Sequence, residues 1–208
     1  MAKTLASQAK DGGSIPLARS AAAGAPRAIG RVCDASAVPD HRPATPQDAA
    51  AISALAVASI RAYAGFAPEA WEPPGDDAQR ELAGGLERWL AGTAWGFVAE
   101  EGDDGLAGVV MLLPAARANR PDPDPALAHL WQLFVAEPHW GTGLAVRLHA
   151  AALGSAAARG FTAARLFTPA GQARSRRFYE REGWAAAASP FFDERIGLEV
   201  VEYRRAVA

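Results

Sequence analysis

The sequence predicts an α/β (α+β) domain: a single sheet with helices on both faces. Two observations carry that expectation. Half of the 208 residues are apolar, enough for one good core. From His41 onward, segments of strand-like and helix-like periodicity follow one another in the order β-α-α-β-β-β-α-β-α-β-β. The stretch before His41 is of another kind. It scatters Gly, Pro, Ser and Ala without a sustained period and contains both lysines of the protein, Lys3 and Lys10. It reads as a mostly disordered leader over 1–40 before a folded domain over 41–208, with a cleaved targeting peptide as the competing reading.

Each element has a local reason. "HRPAT" at 41–45 is a short strand candidate. A helix start follows, with Thr45 as N-cap, Pro46 at the first helical position and Asp48 in the first turn. Residues 77–91 form a second helix that lines up Leu82, Leu86, Trp89 and Leu90 on one side and is weakened by Gly84 and Gly85. Two strands then flank a tight polar turn from Glu101 to Gly105. "LAHLWQLFV" is a strong strand, and an alanine-rich helix runs from Gly143 to about Ala158. "AARLFT" is the next strand, "QARSRRFYEREG" a helix stopped by Gly183, and "WAAAA" and "LEVVEYRRA" close the pattern as strands.

Composition excludes several functions. Residues 1–43 hold six Lys or Arg against three Asp, so the remainder has fifteen basic and twenty acidic residues. A mildly acidic body gives no electrostatic reason to bind nucleic acid. Cys33 is the only cysteine, which excludes an intrachain disulfide and a Cys-based zinc cluster and suits a reducing interior. No apolar run reaches the roughly 18 residues of a membrane span. The expectation is a cytoplasmic chain without metal or membrane, either a monomer or a homodimer.

The chemistry begins at "HWGTGLA", residues 139–145, where two glycines stand between a strand and a helix. A dinucleotide fingerprint fails because Val146 occupies its third glycine position and the next strand ends without an acid. A nucleotide P-loop fails because no lysine follows residue 10. What remains is a turn whose bare amides and helix N-terminus make an anion site, or an ordinary tight turn.

The stretch resembles motif A of the GNAT superfamily, the Gcn5-related N-acetyltransferases, whose pattern of Gln or Arg, two residues, Gly, one residue, then Gly or Ala falls on Trp140, Gly143 and Ala145. "GQARSRRFYEREGW" at 171–184 resembles the family's motif B. The resemblance implies a mixed, mostly antiparallel sheet and acetyl-CoA as co-substrate, held by Leu133, Phe134 and Val135 along the pantetheine arm. It also implies Trp140, Gly141, Thr142, Gly143, Leu144 and Ala145 at the phosphates, with Gln172 and Ser175 on the following helix. Two positions depart from the pattern: Trp140 replaces the usual Gln or Arg donor, and Gln172 stands where Asn is common.

Acetyl transfer requires a neutral amine, stabilisation of an oxyanion and a proton for the leaving thiolate. Tyr179 matches the family's general acid. Strand alternation is expected to place His129, Trp131, Leu133 and Val135 on one face. His129 falls where histone-modifying members of the family carry a catalytic Glu, so it is either a base acting through water or an ordinary surface or core histidine. His139 and His149 read as turn and helix-surface residues. Two segments rich in aromatics and acids would build the acceptor site, with Tyr63, Trp71, Trp131 and Phe191 as its candidate lining. The function implied is acetylation of a primary amine, of a small molecule, by direct attack on the thioester. A non-catalytic acyl-CoA-binding sensor is the competing class.

Overall fold

The computed structural model describes residues 39–102 and 105–207. The expected leader therefore lies outside the described residues apart from Pro39 and Asp40, as does Cys33. Among the described residues eight strands form one sheet: β1 (His41–Pro43), β2 (Trp95–Glu101), β3 (Gly105–Pro114), β4 (Leu127–Val135), β5 (Ala163–Pro169), β6 (Ala185–Ala186), β7 (Phe191–Asp193) and β8 (Leu198–Ala206). Along the sheet the order is β1-β2-β3-β4-β5-β8-β6, and β7 also pairs with β8. The β4–β5 pair is parallel and the other pairs are antiparallel. This is the mixed, mostly antiparallel sheet expected, with β7 as an added short strand.

Helices α1 (Ala49–Arg61) and α2 (Asp76–Leu90) cover one face, packing Ile52 and Leu86 against Val98, Val109 and Met111. Helices α3 (Leu144–Ala158) and α4 (Ala173–Arg181) belong to the other core, in which Leu144, Leu148 and Tyr179 join Val110, Leu112, Leu130 and Leu166. Gly108 of β3 permits the close approach of α3: a β-carbon there would lie 2.8 Å from Leu148 Cδ1. The start of α1 is fixed by charge. Asp48 accepts from the Thr45 amide at 2.7 Å and from both terminal nitrogens of Arg42, on β1, at 2.8 and 2.9 Å. Those hydrogen bonds hold the Asp48 carboxyl down at about 2.

One expectation about side-chain direction is corrected. Met111 of β3 pairs with Gln132 of β4, but its neighbour Leu112 pairs with Leu130, so Trp131 is an extra residue in β4. This β-bulge reverses the alternation beyond it. Ala128 and Leu130 before the bulge, and Leu133 and Val135 after it, all pack toward the α3 core, while Trp131 and Phe134 pack toward the α1–α2 core. His129 and Trp131 therefore do not share a face with Leu133 and Val135. The bulge also marks where β4 leaves β5. Their parallel pairing ends at Leu130 and Leu166, and residues 131–135 diverge from 167–169.

Candidate active site

The divergence leaves a V-shaped opening in the middle of the sheet, with β4 on one wall and β5 on the other. At its mouth the chain passes through the turn 139–143 into α3. Gly141 and Gly143 have φ of +80° and +91°, a region L side chains rarely adopt, so the turn requires glycine at both positions. A β-carbon on either would meet nothing within 4 Å, so the space above the turn is open. Among the described residues, the amides of Gly141, Gly143, Ala145 and Val146 have no main-chain acceptor. Bare amides at the N-terminus of a 15-residue helix make a site for an anion without a basic side chain. Leu144 contributes its main chain only, because its side chain is fully buried in the core. The Thr142 hydroxyl donates to the His139 carbonyl at 2.8 Å and so braces the turn.

Trp140 lies exposed beside this turn, and its indole N–H donates to the Val135 carbonyl at 2.7 Å. The Arg174 guanidinium sits 3.8 Å from the centre of its ring. On the opposite wall Gln172 stands at the start of α4 without capping it, its Oε1 accepting from the Thr168 hydroxyl at 3.4 Å, and Ser175 is half-buried one turn further on. Leu133, Phe134 and Val135 are half-buried along the diverging part of β4.

Tyr179 is buried between Phe178, Trp184 and Tyr203, with ring centres 5.3, 6.0 and 6.3 Å away. Burial, with a smaller contribution from Tyr63, raises its phenol pKa well above the ordinary value. Among the described residues its hydroxyl has no hydrogen-bond partner.

On the α1–α2 side of the opening is a cavity of about 450 Å³, bounded by β4 through His129, Trp131, Gln132 and Phe134 and by β5 through Phe167 and Pro169. Tyr63 and Phe191 complete its aromatic walls. Burial pushes the Tyr63 phenol up to about 12. Four charged residues line it, Arg120 and Arg195 against Asp193 and Glu194. His129 is buried against Phe167, at 5.1 Å between ring centres. Burial, helped by the neighbouring Arg165 guanidinium, lowers its pKa to about 3, so the ring stays neutral. Gln132 is buried with its Oε1 unpartnered among the described residues, as is Nδ1 of His129.

Of the four residues expected to line the acceptor site, Tyr63, Trp131 and Phe191 border this cavity. Trp71 is placed differently. Its indole N–H donates to the Ile196 carbonyl at 2.6 Å, tying the α1–α2 connection to the β7–β8 turn. His149 is corrected from a surface position to a buried one: its Nε2 accepts from the Trp184 indole at 2.8 Å, and burial lowers its pKa to about 4. The sequence reading missed Gln132 and Arg174. A polar residue inside the apolar run "LAHLWQLFV" was the available signal for Gln132. No local signal marks Arg174, whose position matters only because α4 folds beside the turn. Among the described residues no cluster of His, Cys, Asp or Glu is placed to hold a metal, and no helix is long and apolar enough to cross a membrane.

A strand that parts from its neighbour at a bulge and a bare-amide turn leading into a helix lie together in the middle of one mixed sheet. The family model "Acetyltransferase (GNAT) family" matches residues 47–184, and the chain belongs to that family. No curated protein matches it in sequence. Among solved structures it is similar to a GNAT-family chain from Desulfovibrio desulfuricans, at 24% identity and TM-score 0.59, covering 82% of this chain and all of that one. It is also similar to the PaiA N-acetyltransferase of Thermoplasma acidophilum in complex with coenzyme A, at 15% identity and TM-score 0.58, covering 80% of this chain and 98% of that one. A third is a GNAT-family acetyltransferase from Staphylococcus aureus Mu50, at 13% identity and TM-score 0.61, covering 82% of this chain and all of that one.

Proposed function

We propose that the chain is an acetyl-CoA-dependent N-acetyltransferase acting on the primary amine of a small molecule with an apolar, aromatic body. The observation that carries this reading is that one aromatic cavity borders both strands of the opening, through Phe134 on β4 and Pro169 on β5. An acceptor held there reaches the opening from the side opposite α3. The coenzyme A complex of the Thermoplasma acidophilum relative supports the cofactor, and the bare turn at Gly141 and Gly143 fits its phosphates.

Bound acetyl-CoA supplies the thioester that the amine attacks. Tyr179 holds the proton for the departing sulfur. As the C–N bond forms and the C–S bond breaks, the phenol gives its proton to the leaving sulfur and regains one, through a bridging water, from the attacking nitrogen, so that no buried phenolate persists. His129 stays neutral across the working range, so it serves as a hydrogen-bond acceptor toward the amine or a bridging water and takes no full positive charge. The Arg165 guanidinium beside it adds to burial in keeping the His129 ring uncharged. Of the acids in the two acceptor-side segments, Asp193 and Glu194 line the cavity, together with Arg120 and Arg195.

The test is release of free thiol from acetyl-CoA across a panel of primary amines, run beside calorimetric binding of coenzyme A. Amine-dependent release is expected, strongest for arylalkylamines. Binding of coenzyme A with no stimulated release would favour the acyl-CoA sensor instead.

A further inference from the structure

The motif resemblance expects a Gln or Arg side chain at the phosphate-binding turn, and position 140 holds an indole, which carries no charge. The folded chain brings a charge to the same place from another element. Arg174, the second residue of α4, lies with its guanidinium 3.8 Å from the centre of the Trp140 ring. The platform is itself fixed, because the indole N–H is committed to the Val135 carbonyl. Trp140 belongs to the β4–α3 wall of the opening and Arg174 to the β5–α4 wall, so the stacked pair spans its mouth.

We propose that Arg174, held on the face of Trp140, is the cationic clamp on the phosphates of coenzyme A. This inference rests on the coenzyme A reading above. Held over the ring, the guanidinium makes no hydrogen bond among the described residues, so its N–H donors are free for the bidentate contact with phosphate oxygens that a guanidinium suits. No carboxylate is paired with Arg174 among the described residues, whereas Arg176 on the same helix contacts Glu180. The bare amides of Gly141, Gly143 and Ala145 are on the same side of the mouth as Trp140, so an anion on the turn lies between two donor groups. The pair also fixes the arginine before binding, which reduces the ordering cost that an exposed, freely rotating side chain would bring.

Calorimetric titration with coenzyme A, dephospho-coenzyme A and pantetheine tests the proposal. Arg174→Ala should raise the Kd for coenzyme A about tenfold or more, the usual scale for a charge-assisted contact, and leave pantetheine unchanged. An equal loss for dephospho-coenzyme A assigns the contact to the diphosphate; a loss confined to coenzyme A assigns it to the 3′-phosphate. Trp140→Ala should weaken coenzyme A in the same way by removing the platform. Adding Trp140→Arg to Arg174→Ala should recover most of the affinity, because it puts a guanidinium back on the turn. The proposal is overturned if Arg174→Ala binds coenzyme A as tightly as the wild type, or if it loses pantetheine to the same extent. A wild-type chain that binds pantetheine but gains nothing from the phosphates also overturns it, whereas one that binds none of the three overturns the coenzyme A reading itself.

Discussion

Replacing Tyr179 with Phe separates catalysis from folding more cleanly than any other single change in this chain. The ring contacts with Phe178, Trp184 and Tyr203 are made by carbon atoms that phenylalanine keeps. The hydroxyl that is lost has no hydrogen-bond partner among the described residues, so its removal leaves no buried group orphaned. Stability should therefore stay within about 0.5 kcal/mol of wild type. If the hydroxyl gives its proton to the leaving thiolate, kcat should fall roughly 10²–10⁴-fold, or about 2.7–5.4 kcal/mol in activation free energy. Coenzyme A affinity should hardly change. Because burial raises the phenol pKa, wild-type kcat should show no alkaline limb from this group up to its ordinary pKa near 10. Steady-state thiol release, calorimetry and thermal melts of the two proteins supply the three numbers. A variant with kcat within threefold of wild type would refute the assignment and leave Tyr179 as packing, while a collapse of coenzyme A affinity would make the hydroxyl a cofactor contact.

Three further expectations follow from other contacts. Gly143→Ala should cost about 1–2 kcal/mol in stability, because φ is +91° there, and should weaken coenzyme A; unchanged stability in urea titration would contradict the turn geometry. Trp71→Phe removes the donor to the Ile196 carbonyl and should raise KM for the amine with no change in coenzyme A affinity; an unchanged KM would show that this clasp does not shape the cavity. Stability should fall as pH drops from 6.5 toward 4, because His149 has an ordinary pKa near 6.5 when unfolded and about 4 when folded, so the unfolded chain binds more protons in that window. The loss is at most about 3 kcal/mol from this residue. His129, at about 3 when folded, acts in the same direction, so His149→Gln should reduce the pH dependence of Tm in that range without abolishing it, and an unaltered slope would show that His149 does not contribute.

Features set by local chemistry were legible in the sequence. Thr45, Pro46 and Asp48 mark the first helix start through their own backbone preferences, and Gly141 and Gly143 mark the turn because left-handed φ demands glycine. The motif around Tyr179 is what singles that residue out as the proposed acid. Features set by pairing between distant segments were not legible. The extra residue at Trp131 exists only relative to β3, so simple alternation assigned Leu133 and Val135 to the wrong face. His149 was misplaced because α3 is rich in alanine and offers little contrast between its buried and exposed sides; Trp184, its partner, arrives from beyond α4. Trp71 was recognisable as an aromatic in an acceptor-side loop, but its commitment to Ile196 depends on where the β7–β8 turn folds.

The central claim is that this site moves an acetyl group from acetyl-CoA to an amine. Its most direct measurement follows both products of one reaction, the free thiol by colorimetry and the acetylated amine by mass spectrometry, with an arylalkylamine as acceptor. The account predicts equal amounts of the two, formed only when amine and protein are both present and reduced together by Tyr179→Phe. Thiol released without acetylated amine, or neither product from a chain that binds coenzyme A, would contradict it.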